Sequence, residues 1–331
     1  MTNLPTHTSA HLRIAAELSE RERSIISLLQ ADGRMTIAAM SRVLGVTQKT
    51  LHADLADLES RQIIQFTAVT DPAVLGYHAP ALVGIMVDPG VPATLIAEQL
   101  TEIEALDYVV IAGGRINIYA EAICEDRNQL QQVIETEIGR IKGIREVVTF
   151  PYLSLHYQQA HIAAARAKAV ERPGVRPAEI SEIDRQIIHA LSADGRAPLQ
   201  QIADALHVSE AQVRQRVKTL TESGTVSVIG LINPMSLEFQ AMAWVILKVR
   251  PGHRVREMAD VVAQLPYCTY VAVCAGGADI FAEFVCRSNA ELLDVIDREV
   301  RIREEFASVE VAPYMNLYYK RLTPIRSNLR R

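Results

Sequence analysis

The tetrapeptide Ala31-Asp32-Gly33-Arg34 returns as Ala193-Asp194-Gly195-Arg196, a separation of 162 residues (193 less 31), and that return decides how the chain is organised. The same spacing carries Asp71-Pro72 onto Asn233-Pro234, Pro89-Gly90 onto Pro251-Gly252, Cys124 onto Cys286 and Pro151-Tyr152 onto Pro313-Tyr314. The glycine pair slips by one, Gly113-Gly114 against Gly276-Gly277, and the spacing recovers at Asn117 against Asp279, so the slip is confined to a loop. The register otherwise holds from about Leu18 to Tyr157 against Ile180 to Tyr319. One structural unit is therefore written twice, and such repetition fixes architecture before any single element does.

Each unit opens as three helices. Ser181-x-x-Asp184 and Ser19-x-x-Glu22 are capping boxes, in which hydroxyl and carboxylate satisfy the free amides of a helix start. The helix that follows in the second copy carries Ile183, Ile187, Ile188 and Leu191 on its apolar face, and Gly195 is expected to end it. Pro198 suits the first turn of a second helix whose Ile202, Ala203 and Leu206 point inward. Ser209 caps a third helix, with Gln212 completing the box; Thr47 holds that place in copy one, and Gly224 closes the helix in copy two. Three short helices with a tight turn between the second and third describe a helix-turn-helix.

A turn of ~100° per residue sorts the third helix into faces. Val213, Val217 and Leu220, or Leu51, Leu55 and Leu58 in copy one, belong to the core. The opposite face of copy two carries Gln212, Arg214, Gln215 and Lys218, side chains able to meet phosphates and base edges in a major groove. Copy one offers Lys49, Thr50, His52 and Ala53 there. Most polar helix faces are simply solvated; the helix-turn-helix frame raises the DNA reading above that. The DNA-contact candidates are Ser209, Gln212, Arg214, Gln215, Arg216 and Lys218, with Thr47, Lys49, Thr50 and His52 in copy one. Arg216 flanks the apolar stripe, where packing or an ion pair is the competing role. Asp54 stands in its place in copy one, with Asp57 and Glu59 adding acid, so copy two is expected to dominate affinity.

The second half of each unit reads β-α-β-β-α-β. Apolar strands at 81–87 and 243–249 are followed by a helix (93–100, 254–264) and two strands (108–112 and 116–124; 270–274 and 279–286). A further helix (128–141, 289–301) precedes a last strand (147–157, 309–319). That order is ferredoxin-like, a sheet with helices on one face. Gly113-Gly114-Arg115-Ile116-Asn117 and Gly276-Gly277-Ala278-Asp279 join the middle strands; adjacent glycines permit close approach of a ligand or positive φ, and a plain hairpin turn is the simpler reading.

The fold class is thus α+β, with two winged-type helix-turn-helix domains and two ferredoxin-like βαββαβ (αβ-sandwich) domains in tandem. The expected segments are helix-turn-helix 18–78, βαββαβ 79–157, a Pro/Gly-broken linker 158–179, helix-turn-helix 180–240, βαββαβ 241–319 and a basic tail 320–331. The tail carries Lys320, Arg321, Arg326, Arg330 and Arg331 with no acid.

Bulk properties agree. The 331 residues, 49% hydrophobic and 22% charged, are ordinary for globular protein. A net charge of −5 argues against a general polyanion-coating protein, so contact with DNA must be local. No apolar run approaches the ~18 residues that span a bilayer, and the N-terminus has no basic-then-apolar leader pattern. Four cysteines, at 124, 268, 274 and 286, form neither a CxxC motif nor a disulfide framework, which fits a reducing cytoplasm. Cys124 and Cys286 read as small core residues. No catalytic, metal or cofactor motif is present: HExxH, GxxxxGK and GxGxxG are all missing.

The ADGR after the first helix, the Ser209–Val213–Arg216–Leu220 third helix with Gly224, the Asn233-Pro234 corner and the Gly-Gly-x-Asp hairpin together resemble the Lrp/AsnC (feast/famine) family of bacterial and archaeal regulators. The resemblance covers nearly the whole chain, twice. It implies helices that bind double-stranded DNA and βαββαβ domains that make homo-oligomers. It further implies an effector, often an amino acid, bound near the glycine hairpin where dimers meet. The implied effector residues are Gly276, Gly277 and Asp279, with Gly113, Gly114 and Asn117 in copy one. Family members usually carry one unit per chain, so the two copies here are expected to form an internal pseudo-dimer. Siroheme decarboxylases, built from the same two-part unit, offer a rival resemblance. They look to need histidine with basic or tyrosyl groups at the hairpin, and neither Ala112–Arg115 nor Cys274–Gly277 contains histidine. A ligand sensor without DNA binding is the third reading.

Overall fold

The computed structural model describes residues 9–10, 18–61, 63–70, 73, 76–158, 180–232 and 241–319. The expected linker, the Asp71-Pro72 and Asn233-Pro234 corners and the basic tail lie outside the described residues. After the short strand β1 (Ser9–Ala10), the first copy runs α1 (Glu20–Ala31), α2 (Ile37–Leu44), α3 (Gln48–Ser60), β2 (Ile64–Thr70), β3 (Ala81–Val87), α4 (Ala93–Thr101), β4 (Leu106–Ala112), β5 (Ile118–Ala122), α5 (Arg127–Gln132) and β6 (Ile144–Gln158). The second repeats it as α6 (Glu182–Ala193), α7 (Leu199–Leu206), α8 (Glu210–Glu222), β7 (Val226–Ile232), β8 (Ala241–Val249), α9 (Val255–Ala263), β9 (Cys268–Cys274), β10 (Ile280–Cys286), α10 (Asn289–Val295) and β11 (Phe306–Tyr319). Both α5 and α10 widen into π turns, Val133–Glu137 and Ile296–Arg301. Among the described residues no helix is long and apolar enough to cross a membrane.

The chain packs as two compact units, one holding both helical copies and the other both βαββαβ copies. In the helical unit β2 and β7 pair antiparallel, from Ile64 opposite Ile232 to Thr70 opposite Val226. The sequence reading did not foresee these strands. They cross-brace the copies: Ala68 of β2 joins the core of α6–α8 with Ile187, Ile188, Leu191, Ile202 and Val213.

This bracing explains the repeated ADGR. Gly195 does not end α6 by a left-handed turn; Asp194 is already the extended C-cap, and the glycine follows it. Its N–H donates to the Phe66 carbonyl at 3.0 Å, and a Cβ there would lie 2.8 Å from the Thr67 nitrogen. Gly33 does the same against β7, donating to the Val228 carbonyl at 3.0 Å with a Cβ site 2.7 Å from the Ile229 carbonyl carbon. The glycines are there because the other copy's backbone passes within contact. The arginines then clasp across: Arg34 donates to the carbonyls of Gly195 (2.6 Å) and Ala197 (3.3 Å), Arg196 to those of Gly33 (2.8 Å) and Met35 (3.1 Å). Arg196 also lies 4.1 Å above the Phe66 ring. Pro198 sits one place earlier than its first-turn expectation, at the N-cap of α7.

In the other unit each copy forms a four-stranded antiparallel sheet in ferredoxin-like order, β4-β5-β3-β6 and β9-β10-β8-β11. The last strands, 15 and 14 residues long, outrun their own sheets. The far part of β6 pairs with β9 from Tyr152 opposite Cys274 to Gln158 opposite Tyr270, and β11 pairs with β4 from Tyr314 opposite Ala112 to Tyr319 opposite Tyr108. The eight strands therefore close into a ring, which removes the exposed edges each half-sheet would otherwise present. Alternation divides the faces. Ala81, Val83, Ile85 and Val87 pack toward the helices of copy one, and Ala243, Val245, Leu247 and Val249 toward those of copy two. The residues between them face the barrel interior, where Tyr119, Phe150, Trp244 and Phe281 are buried and meet edge-to-face.

Candidate nucleic-acid and effector sites

The third helix of each helical copy starts as its capping residues dictate. Ser209 accepts from the Gln212 amide at 3.2 Å while the Gln212 side-chain oxygen accepts from the Ser209 amide at 3.0 Å. Thr47 caps α3 by accepting from the Thr50 amide at 3.2 Å. Ser209, Gln212 and Thr47 thus spend their polar atoms on the helix start. Gly224 closes α8 with φ +74°.

Val213 and Leu220 are buried, as are Leu51, Leu55 and Leu58. Arg214, Gln215 and Lys218 are exposed together on the outer side of α8; Lys49 and His52 are exposed on α3, with Thr50 partly covered. Acids on the same helix temper that face, since Glu210 pairs with Arg214 and Glu222 lies 3.8 Å from the Lys218 ammonium.

Arg216 takes the ion-pair role that its place beside the apolar stripe allowed. Its guanidinium donates to Asp184 Oδ1 at 2.9 Å and to the Ser181 hydroxyl at 3.0 Å, tying α8 to the cap of α6. Burial pushes the Asp184 carboxyl up, but the bonds from Ser181 and Arg216 outweigh it and hold it below the usual carboxylate range. In copy one Asp54 occupies this place and takes Arg21 at 2.6 Å. Arg21 is the counterpart of Ile183, so the tie survives with its charges exchanged.

The hairpin residues come together at the seam between the sheets. Gly113 donates its N–H to the Pro313 carbonyl (2.8 Å) and Ala275 to that of Pro151 (3.0 Å), so each hairpin is fixed to the other copy's last strand. Gly114 and Gly276 take φ +137° and +105°, which is what requires glycine there. Asp279 Oδ2 accepts from the Val249 amide at 2.8 Å and Oδ1 from the Lys248 ammonium at 3.1 Å. Asn117 Oδ1 accepts from the Val87 amide at 2.8 Å. Asn117 needs no counter-charge, and Met86 stands where copy two has Lys248. Both side chains lock the hairpin to a strand end. Gly277 also borders a cavity of about 80 Å³ whose polar walls are Arg115, Tyr119 and Glu310.

Sequence reasoning missed a polar cluster inside the barrel. Glu121 accepts from Tyr152 at 2.9 Å and from Tyr270 of the other copy. Glu283 accepts from Tyr314 (2.8 Å), Tyr108 of the other copy (2.5 Å) and Thr269 (2.6 Å). Burial drives the Glu121 carboxyl above its ordinary range despite the tyrosine bonds, with the Glu283 charge adding to the rise. The signal was available: Glu121/Glu283, Tyr108/Tyr270 and Tyr152/Tyr314 recur at the repeat spacing as polar residues in otherwise apolar strands. All four cysteines are free and buried. Burial raises the thiols of Cys124 to about 11 and of Cys274 and Cys286 to about 12, which suits core residues rather than nucleophiles.

Models of known domains match in the order of the repeat. They are a winged helix-turn-helix DNA-binding domain over residues 18–65, a C-terminal dimeric alpha+beta barrel domain over 92–165, an AsnC-type helix-turn-helix domain over 180–221 and an Lrp/AsnC ligand binding domain over 240–323. An uncharacterised HTH-type transcriptional regulator of Pyrococcus abyssi is 31% identical over 141 residues, 42% of this chain and 88% of the relative. HTH-type transcriptional regulator LrpA of Pyrococcus horikoshii is 30% identical over 122 residues, 37% of this chain and 86% of its own length. Among solved structures, the siroheme decarboxylase NirDL shares the fold with a TM-score of 0.61 at 13% identity, over 93% of this chain and 95% of that one.

Proposed function

Because this chain belongs to the Lrp/AsnC family of DNA-binding transcription regulators, with an alpha+beta barrel domain after the first helix-turn-helix and a ligand-binding domain after the second, we propose that its two unlike reading heads bind an imperfect operator under control of a small effector of the amino-acid class. The observation that carries this is the outer side of α8, where Arg214, Gln215 and Lys218 stand exposed on a capped third helix. The effector acts at the seam marked by Gly113, Gly114 and Asn117 with Gly276, Gly277 and Asp279. It regulates by preferring one assembly or head spacing over another. The closed ring uses both strand edges within one chain, so homo-oligomers form through the remaining surface of the βαββαβ domains. The protein is not an enzyme in this reading and works in the cytoplasm. The fold shared with a siroheme decarboxylase does not bring its chemistry, since both hairpins lack histidine.

The second reading, a ligand sensor without DNA binding, draws support from Glu210 and Glu222, which partner Arg214 and Lys218 on the outer side of α8. Fluorescence anisotropy across a salt series separates the two. Wild type is expected to bind duplex in a salt-sensitive manner, and Arg214→Ala with Lys218→Ala to lower the logarithmic salt slope by about 1.8, some 0.9 per lost phosphate contact. Lys49→Ala is expected to cost less. A larger cost for Lys49→Ala overturns the dominance of copy two; wild-type chain without salt-sensitive, sequence-preferring binding overturns the regulator reading.

A further inference from the structure

The cavity of about 80 Å³ at the seam breaks the internal symmetry of the barrel. Its polar walls are Arg115, Tyr119 and Glu310. One repeat away, Tyr119 corresponds to Phe281 and Glu310 to Val148, and both of these apolar counterparts line the same cavity. Arg115 corresponds to Gly277, which also lines the cavity: Ala112–Asn117 and Cys274–Asp279 are equally long, and their ends pair alike, the Ala112 amide with the Asn117 carbonyl and the Cys274 amide with that of Asp279. All the polar walls are therefore additions to one side of a space whose other side is apolar.

Tyr119 shows that this side is unfinished. The residue is 1% exposed, yet its hydroxyl has no hydrogen-bond partner among the described residues. A buried hydroxyl left unpaired carries a standing desolvation penalty, and native proteins rarely keep one without a reason. Phenylalanine at the equivalent position of copy two proves that the fold does not need the oxygen. Burial lifts the Tyr119 hydroxyl above its ordinary pKa; the Glu310 charge adds to that rise and the Arg115 charge opposes it, so opposite charges both reach the group. Arg115 and Glu310 are themselves exposed, at the mouth, where a diffusing ligand meets them first.

We propose that this cavity is a one-per-chain site for a small zwitterion, whose carboxylate pairs with Arg115, whose ammonium pairs with Glu310 and whose inner oxygen accepts from the Tyr119 hydroxyl. The inference rests on the effector reading above and gives it a place and a ligand class. Size limits the choice. The space equals two or three waters at about 30 Å³ each, which admits glycine or alanine and rejects leucine. Gly277 closes the opposite wall, its Cβ site already 3.4 Å from the Phe150 ring, so occupancy bears directly on the second hairpin.

Isothermal titration calorimetry on the full chain tests this with glycine and L-alanine as probes, acetate and methylammonium as half-ligands, and L-leucine as the oversize control. The expected result is one site per chain for glycine or alanine, at least tenfold weaker binding of either half-ligand, and none of leucine. Tyr119→Phe and Arg115→Gly each rewrite copy one as copy two, and Glu310→Val rewrites copy two as copy one, exchanges this fold already accommodates; each is expected to lower affinity tenfold or more with an unchanged far-UV spectrum. Two equivalent sites per chain overturn the proposal. So does binding that survives all three changes but is lost in Asp279→Ala or Asn117→Ala, which keeps an effector while moving its site to the hairpin locks. Wild-type chain that takes up neither glycine nor alanine also overturns it, and the separate anisotropy series then tells whether the regulator reading falls with it.

Discussion

Gly195→Ala should destabilise the helical unit, against the usual effect of that exchange. At a glycine with an ordinary backbone, alanine restricts the unfolded chain and adds about 0.4–1 kcal/mol of stability. Gly195 has no positive φ, so backbone strain gives no reason for a loss. The reason is the neighbour: the added carbon would sit 2.8 Å from the Thr67 nitrogen, 2.9 Å from Val228 Cγ1 and 3.0 Å from the Phe66 carbonyl carbon. Two of these atoms are backbone and cannot rotate aside. Overpacking costs about 1–3 kcal/mol, and drawing the strand back weakens the 3.0 Å bond from Gly195 to Phe66, worth about 0.5–1.5 kcal/mol. After the entropic gain the net loss is about 1–3 kcal/mol. In urea, with a slope of about 2 kcal/mol per molar, a loss of about 2 kcal/mol lowers the midpoint by about 1 M. Far-UV circular dichroism follows the helices, while fluorescence of Trp244, the only tryptophan, follows the barrel core. Gly33→Ala should behave alike, since it meets β7 as Gly195 meets β2. A Gly195→Ala chain as stable as wild type, or more stable, would refute the docking of each ADGR turn on the other copy's strand.

Two further outcomes follow from the polar ties. Arg216→Asp should place two carboxylates together at the cap of α6 and lower stability by about 1 kcal/mol, a modest figure because Arg216 is 38% exposed and water screens the pair; adding Ile183→Arg rebuilds the copy-one arrangement, and urea titration should show part of the loss recovered. Glu121→Gln should remove a pH dependence: burial raises the carboxyl of the folded state above its unfolded value, so the native state holds more protons between the two, and wild-type stability falls as pH rises through that window. The glutamine variant should show a flatter stability profile across that window in urea titrations at several pH values, and an equally steep decline would count against the buried-carboxyl account.

Much of the fold was legible because its signals are local. Capping boxes at Ser19, Ser181 and Ser209 form as their spacing requires, and the apolar run Ala81–Val87 is the strand its composition marks. What was not legible depends on one copy meeting the other. The β2–β7 pairing follows directly after α3 and α8, yet only the partner copy gives those segments an edge to bind. The closed barrel likewise needs Tyr152–Gln158 to find β9, a contact no periodicity announces. Arg216 stayed between two roles for a related reason: helical angle places it beside the exposed face, and its ion-pair partner, Asp184, lies on another helix. Glu121 and Glu283 went unread because apolar strands around them suggested core, and only the cross-barrel tyrosines show how a carboxylate is kept there.

A homodimer must accept every substitution twice, whereas two copies on one chain can diverge, and the manner of divergence separates upkeep from function. Some exchanges are compensated within the same copy. Arg216 with Asp184 becomes Asp54 with Arg21, and Asp279 with Lys248 becomes Asn117 with Met86; charge and geometry balance in each case, so these pairs preserve structure. Other exchanges have no partner change. His52 faces outward where copy two has Arg214, Ala53 where it has Gln215, and Ala56 where it has Lys218, which makes the reading heads unlike without altering the helix beneath them. Arg115 and Tyr119 are of this second kind, since among the described residues nothing answers the guanidinium that replaces Gly277 or the unpaired hydroxyl that replaces the Phe281 edge. An uncompensated polar group on the surface meets water at little cost, but a buried one keeps its penalty in every molecule that folds. The hydroxyl of Tyr119 is therefore the strongest sign that the duplication was used to build a single site at the seam, and a ligand that satisfies it has the most to gain where Phe281 faces it across the cavity.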